Sequence, residues 1–221
     1  MDNFIYKLKN TNISTIPFDY CVVDNIFSDK YYYYLSNEIE NLDLSLFKVN
    51  HFARGGKFRN LIKIIRNKKS YKEDYNYKIL LKNNYKYIVQ FIDFFFEKED
   101  EILSILYDKI KTDRLTDDRY LYFSIVKDEK SYYIEPHPDS DQNIYTILIY
   151  TPTNHKNQKF GLELYEKKEE NFIVKKKINF NPNQLLFFAP SKNTFHGVKK
   201  LNEKLYKTRN SFQIFFMKRD S

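Results

Sequence analysis

Asn143-Ile144-Tyr145-Thr146-Ile147-Leu148-Ile149-Tyr150-Thr151, followed across a polar turn by Gly161-Leu162-Glu163-Leu164-Tyr165-Glu166, decides how this chain folds. Both runs are short, rich in Ile, Leu and Tyr, and bounded by turn-forming residues, which is the composition of strands rather than helices. Runs of the same kind stand on either side, at 119–126, 131–136, 171–179, 184–189, 195–199 and 209–217. The turns between them carry clear chemistry, as in Thr153-Asn154-His155-Lys156-Asn157 and Asn179-Phe180-Asn181-Pro182-Asn183. Short strands at such near-regular spacing predict an antiparallel sandwich, jelly roll or barrel, not a parallel α/β sheet.

Upstream the period changes. Asp19-Tyr20-Cys21-Val22-Val23-Asp24-Asn25-Ile26-Phe27 reads as a short strand running into a helix that opens at Ser28 or Asp29 and continues to about Leu42. Residues 51–66 hold Arg54-Gly55-Gly56-Lys57, half of all the glycines, and read as a loop and a strand. From Tyr75 to about Leu115, Ile88, Ile92, Phe95, Ile102, Leu106 and Ile110 recur at helical spacing, which predicts two helices broken near 97–100. The expectation is a single domain over 1–221, mainly β with N-terminal helices (α+β). Residues 1–118 form a strand and helical support region, and 119–217 form a double-stranded β-helix, or jelly-roll, core.

Composition narrows the function classes. The 221 residues are 42% hydrophobic and 18% aromatic, with 20 Tyr and 20 Phe but only 4 Gly and 6 Pro, which excludes collagen-like and low-complexity disordered material. Cys21 is the only cysteine, so neither an internal disulfide nor a cysteine-based zinc site can form. No run approaches a membrane span and the N-terminus carries no secretory h-region, so a cytoplasmic protein is expected. Lys and Arg number 37 against 29 Asp and Glu, a net charge of +8 that favours acidic partners. Lys, Asn, Ile and Tyr are abundant together, however, as AT-rich coding produces, so the charge alone selects no partner.

The chemistry lies in the β-region. His137-Pro138-Asp139 is followed by His196 fifty-nine positions on, and Arg209 stands thirteen beyond that. Two His and one carboxylate form the ligand set of a non-haem Fe(II) facial triad. On an extended strand residues i and i+2 share a face, so His137 and Asp139 can reach one metal while His196 arrives from a neighbouring strand. The order of motifs resembles the Fe(II)- and 2-oxoglutarate-dependent dioxygenases, in particular the prolyl-4-hydroxylase-like branch. After the His-x-Asp come the strand 145–151, Gly161-Leu162-Glu163-Leu164-Tyr165, the Leu186-Phe187-Phe188-Ala189-Pro190 segment, Phe195-His196-Gly197-Val198, and Arg209-Asn210-Ser211. Val22-Val23-Asp24-Asn25-Ile26-Phe27-Ser28 is similar to that branch's opening strand and helix. Three departures stand out: one Gly of a Gly-Gly pair is missing, Thr151 replaces an Asn, and Asn183 occupies a turn where the family often has Gly. Asn tolerates left-handed geometry, so the last is a mild change.

The resemblance implies Fe(II) on His137, Asp139 and His196, with 2-oxoglutarate as cosubstrate, O2 and, optionally, ascorbate. Arg209 would receive the distal carboxylate, Ser211 would add a hydroxyl donor two residues along the same strand face, and Tyr122 is a third candidate for that carboxylate. No catalytic residue is expected beyond the metal ligands. The implied reaction is hydroxylation of a protein, peptide or small-metabolite substrate with release of succinate and CO2; the related halogenases lack the carboxylate that Asp139 supplies. Arg54, Lys57 and Arg59 could line an entrance for an anionic substrate or form a solvated loop, and His51 and His155 read as solvated. Competing readings are an Asp-x-Asp glycosyltransferase on Asp139-Ser140-Asp141, disfavoured by the scarcity of glycine; a cupin-like sugar isomerase or non-catalytic binding module, which has no use for Arg209; and a nucleic-acid-directed dioxygenase, ranked below peptide or metabolite substrates.

Overall fold

A computed structural model describes residues 1, 3–54, 57–64, 70–128, 132–153, 161–199 and 208–219; at 50–54 and 57–58 it describes the backbone alone. The side chain of His51, the glycines Gly55 and Gly56, and the turn over 154–157 with His155 lie outside the described residues. In chain order, α1 (Asn3–Lys9), β1 (Ile13–Ser14) and β2 (Tyr20–Val23) lead into α2 (Asp29–Glu40). A hairpin of β3 (Val49–Arg54) and β4 (Lys57–Ile64) precedes α3 (Tyr75–Lys82), α4 (Lys86–Glu97) and α5 (Glu99–Lys109). The strands β5 (Arg119–Asp128), β6 (Ile134–His137), β7 (Asn143–Tyr150), β8 (Leu162–Lys168), β9 (Asn171–Ile178), β10 (Gln184–Phe188), β11 (Phe195–Val198) and β12 (Arg209–Lys218) follow. Every run read as a strand forms one.

The strands build a jelly roll of two antiparallel sheets. The large sheet has the order β1-β2-β10-β7-β12-β5-β4-β3, and the small one β6-β11-β8-β9. Because side chains alternate across a strand, each strand of the large sheet serves two layers. On β12, Arg209, Gln213 and Phe215 line the space between the sheets, while Phe212, Ile214 and Phe216 join the core under the helices. β7 is buried at all eight positions, which is why it reads as a continuous apolar run rather than an alternating one.

The aromatic surplus fills the helix-side layer. α4 buries Ile88, Val89, Phe91, Ile92, Phe95 and Phe96, one stripe at helical spacing. The Phe91 ring lies 4.9 Å from Phe212 and 5.6 Å from Phe123 on the sheet. Truncating such a ring to Ala costs about 3–5 kcal/mol, comparable to a small domain's whole net stability. Ser28 caps α2 by accepting from the Tyr31 N–H, and Asp74 caps α3 by accepting from Asn76 and Tyr77. α4 has no such local cap; the Glu38 carboxylate of α2 accepts from the Tyr87 and Ile88 N–H groups instead, a negative charge at the positive end of the helix.

Three local readings are corrected. The stretch from Tyr75 forms three helices, not two: the expected break near 97–100 is present between α4 and α5, and a further one occurs where Asn84 adopts φ 58°, a left-handed conformation that no helix continues through. Residues 51–54, expected in a loop, belong to β3, because β4 pairs with β5 and offers β3 its other edge. α1 was not anticipated; it is a short helix held by Phe4 and Leu8, both buried, with the Phe4 ring 5.3 Å from Phe94. Among the described residues no helix is long and apolar enough to cross a membrane.

β9 is an edge of the small sheet and is exposed along nearly its whole length. There Lys175 pairs with Glu166 at 2.9 Å and Lys177 with Glu163 at 3.2 Å, both carboxylates on β8.

Asn183, in the turn before β10, has φ 59° as expected. Its side chain does more than tolerate the turn: Oδ1 accepts from Phe27 N and Nδ2 donates to Phe27 O, both at 2.9 Å, while Ile26 N donates to the Asn183 carbonyl at 3.0 Å. Asn183→Gly would keep the backbone geometry but orphan two buried backbone groups, lowering stability by about 1–3 kcal/mol. Asn183→Ala adds the left-handed strain and should be less stable still. Urea unfolding midpoints in the order wild type, Gly, Ala would bear this out; a Gly variant as stable as wild type would refute it.

Candidate functional site

β6 and β11 are neighbours in the small sheet, and their ladder sets His137 directly opposite His196. Asp139 follows His137 by two residues, beyond the strand end. The ligand-capable atoms of the three side chains all lie within 4.8 Å of one another, and the two imidazole rings are 4.6 Å apart. Each His has Nδ1 at a backbone carbonyl, His137 on Glu135 at 2.8 Å and His196 on Thr194 at 3.1 Å. A carbonyl only accepts, so each Nδ1 carries the proton and each Nε2 lone pair is turned to the shared space. The Asp139 carboxylate has Oδ1 3.6 Å from His196 Nε2 and accepts from the Thr146 hydroxyl at 2.5 Å through Oδ2.

Electrostatics match that arrangement. Burial and the neighbouring His196 lower the pKa of His137, favouring the neutral ring that can donate a lone pair. Burial alone would raise Asp139, but the contacts from His196, the Thr146 hydroxyl and His137 outweigh it and hold the carboxyl below its ordinary range. Two imidazoles and a carboxylate on one side of a cavity suit a divalent transition metal.

The local backbone makes this possible through Gly197. The β6–β11 register shifts between His196 and Val198, and a Cβ on Gly197 would stand 2.7 Å from the Ile134 carbonyl oxygen and 3.3 Å from the Glu135 carbonyl carbon. Only glycine lets β11 approach β6 this closely next to both histidines.

The triad opens into a cavity of about 130 Å3 between the sheets, and Arg209 lines the same cavity. Its guanidinium lies 5.3 Å from the Phe180 ring and 5.4 Å from the Tyr150 ring, and Nη1 donates to Asp128 Oδ2 at 2.9 Å. Ser211 is fully buried on the same face of β12, opposite Tyr150 in the β12–β7 ladder. The Ser211 hydroxyl is buried with no hydrogen-bond partner among the described residues, and the buried Tyr150 hydroxyl is held by the Arg209 guanidinium and the Leu162 backbone. An unsatisfied buried hydroxyl is costly and points to a polar group that completes it.

Tyr122 is not brought to Arg209. It pairs with Phe215 in the β12–β5 ladder, whereas Arg209 pairs with Asp128, six residues along the same strand or roughly 20 Å at strand rise. Tyr122 lines a second recess of about 270 Å3, together with Ser124, Asn143, Phe215 and Met217. That recess meets the first at Asp139, Gln213 and Phe215. Asp141 of the Asp-x-Asp points away, pairing with Arg114 at 2.6 Å on the surface, so the glycosyltransferase reading loses its second carboxylate.

Sequence reading missed Asp128, Thr146, Gln213 and Tyr150 in this site and left Arg59 between two roles. Arg59 is no solvated loop residue: Nε and Nη2 donate to the two oxygens of Asp128 at 2.6 and 3.0 Å, and Nη1 donates to Gln213 Oε1 at 3.3 Å. An Asp closing one apolar strand and an Arg opening another was the available signal for the Asp128–Arg209 pair.

No protein-family model matches the chain, and no curated protein matches it. Solved structures do. A prolyl-4-hydroxylase from Pseudomonas putida aligns over 98% of this chain and 97% of its own, with TM-score 0.58 at 11% identity. A prolyl hydroxylase from Trichoplax adhaerens, solved with a hypoxia-inducible-factor peptide fragment, aligns over 98% and 88%, with TM-score 0.53 at 16% identity. The dioxygenase for auxin oxidation 1 from Arabidopsis thaliana, in complex with 2-oxoglutarate, aligns over 85% and 73%, with TM-score 0.50 at 12% identity. The fold is that of the Fe(II)- and 2-oxoglutarate-dependent oxygenases. The jelly roll expected from the strand spacing is therefore present, with the His-x-Asp and the distal His meeting at one point of it.

Gly197→Ala should push β11 off β6 and weaken Mn(II) or Fe(II) binding by about tenfold or more, with the far-UV circular dichroism unchanged. Metal titration by calorimetry reads this directly; wild-type affinity in the variant would mean the ladder has slack at this point.

Proposed function

We propose that the protein is an Fe(II)- and 2-oxoglutarate-dependent oxygenase that hydroxylates a peptide side chain or a small metabolite. The observation that carries this is the sharing of one cavity by the triad and by the buried Arg209, with the unpartnered Ser211 hydroxyl on the same face of β12. His137, Asp139 and His196 would hold the metal, with Thr146 and the two backbone carbonyls fixing the orientation of the ligands. Arg209 would receive the distal carboxylate of the cosubstrate, and the Ser211 and Tyr150 hydroxyls would donate to it. When bound, iron and 2-oxoglutarate supply the oxidising chemistry, with O2 consumed and succinate and CO2 released. A cupin-like isomerase or a non-catalytic sugar module gives no reason for a cation buried this deeply in the triad's cavity, and the oxygenase reading does.

The second recess suits the substrate. It reaches the triad at Asp139, and its wall is otherwise uncharged, with Tyr122 and Phe215 beside polar Ser124, Asn143 and Gln213; Lys63 Nζ lies 5.5 Å from the Tyr122 ring. Tyr122 is therefore assigned to the substrate side rather than to the cosubstrate carboxylate. The reacting part of the substrate is expected to be uncharged, against the anionic substrate that composition suggested.

Wild type should form succinate from 2-oxoglutarate under air with Fe(II), with or without a substrate that stimulates it. His137→Ala should abolish metal binding and turnover together. Arg209→Ala should raise the KM for 2-oxoglutarate by about a hundredfold while sparing metal affinity, the cost of a lost charged pair. Absence of both Fe(II)-dependent 2-oxoglutarate binding and succinate formation in the wild type would sink the proposal.

A further inference from the structure

Three strands that lie side by side in the large sheet bring three charges into one row. Asp128 is the register partner of Arg59 on β4 and of Arg209 on β12, so one fully buried carboxylate stands between two arginines on the cavity face. Considered alone, the Asp128–Arg209 contact is a neutral pair. A neutral buried pair is a poor receiver for a carboxylate, because the arriving anion is repelled by the aspartate about as strongly as it is drawn to the arginine.

Arg59 changes that balance. It holds both oxygens of Asp128 in a fork, and Arg209 Nη1 donates to one of the same two oxygens. The fork itself is braced: the guanidinium lies over the Tyr132 ring at 4.1 Å, and Gln213 accepts from Nη1. Two guanidinium groups against one carboxylate leave a single positive charge in the row. The burial that would lower the Arg59 pKa is outweighed by Asp128, which keeps Arg59 charged.

We propose that Arg59 is a positioning residue: by neutralising Asp128 from the N-terminal hairpin, it leaves the charge of Arg209 for the carboxylate of the cosubstrate. This rests on the oxygenase reading. It assigns a role in cosubstrate binding to the β3–β4 hairpin, a segment outside the part of the sequence that carries the site motifs.

The test is calorimetric titration of 2-oxoglutarate into the Fe(II)-loaded protein without oxygen, with metal affinity measured separately. Arg59→Gln should weaken 2-oxoglutarate by about tenfold or more and leave metal affinity unchanged, since it restores the neutral Asp128–Arg209 pair. The double variant Arg59→Gln/Asp128→Asn removes one charge of each sign and should return binding to within about threefold of wild type. Arg59→Lys, which keeps the charge but loses the fork, should bind more tightly than Arg59→Gln. Wild-type affinity in Arg59→Gln overturns the inference. So does a folded double variant as weak as the single one, which would mean that Arg59 touches the ligand itself. If Arg59→Gln does not fold, the double variant decides alone by the same threefold criterion. A wild type that binds metal but no 2-oxoglutarate overturns the oxygenase reading and this inference with it.

Discussion

Burial of both faces of the large sheet is the constraint from which the remaining features follow. A strand covered on one side by helices and on the other by a second sheet cannot turn polar residues to water, so every polar side chain on it needs a partner inside. On β12 this gives Phe212, Ile214 and Phe216 to the helix layer and leaves Arg209, Ser211 and Gln213 enclosed between the sheets. Helix α4 supports the site from behind: its Phe91 packs on Phe123 of β5 and Phe212 of β12, the two strands whose register sets Arg209 beside Asp128.

The two ends of the cavity solve their electrostatics differently. At the triad end, two imidazoles and one carboxylate are oriented by backbone carbonyls and a threonine. At the other end, charge is buried outright and balanced across three strands. Desolvated ions are costly unless paired, and a row with an odd positive charge is completed by an anion. The cavity is thus polarised along its length, with the carboxylate and the two imidazoles at one end and the paired arginines at the other.

Much of this was legible because it is local. The strand pattern needs only short windows, and the pairing of His137 with Asp139 needs only the two-residue repeat of a strand. Arg209 was singled out by its spacing after His196 in the motif order the chain resembles, and by its place on an otherwise apolar strand. What stayed hidden depends on register between distant segments: Asp128 meets Arg59 across 69 positions and Arg209 across 81. Tyr122 shows the same limit from the other side, since its face was inferable but its distance along β5 from Arg209 was not. Glu38 capping α4 and the left-handed Asn84 are likewise tertiary or single-residue choices that override helical periodicity.

The exposed edge of the small sheet gives the net charge of +8 a local use. A sheet edge is a template for another chain, and β9 carries Phe172, Ile173 and Val174, each more than a third exposed. Lys175, Lys176 and Lys177 follow them along the strand, with Lys175 and Lys177 paired to carboxylates of β8. A second copy approaching edge to edge would have to bring its own lysines alongside these and desolvate them. The basic bias of the chain, uninformative about ligands, thus places its charge on the open edge of the sheet that carries two of the three candidate metal ligands, where lysines disfavour edge-to-edge pairing.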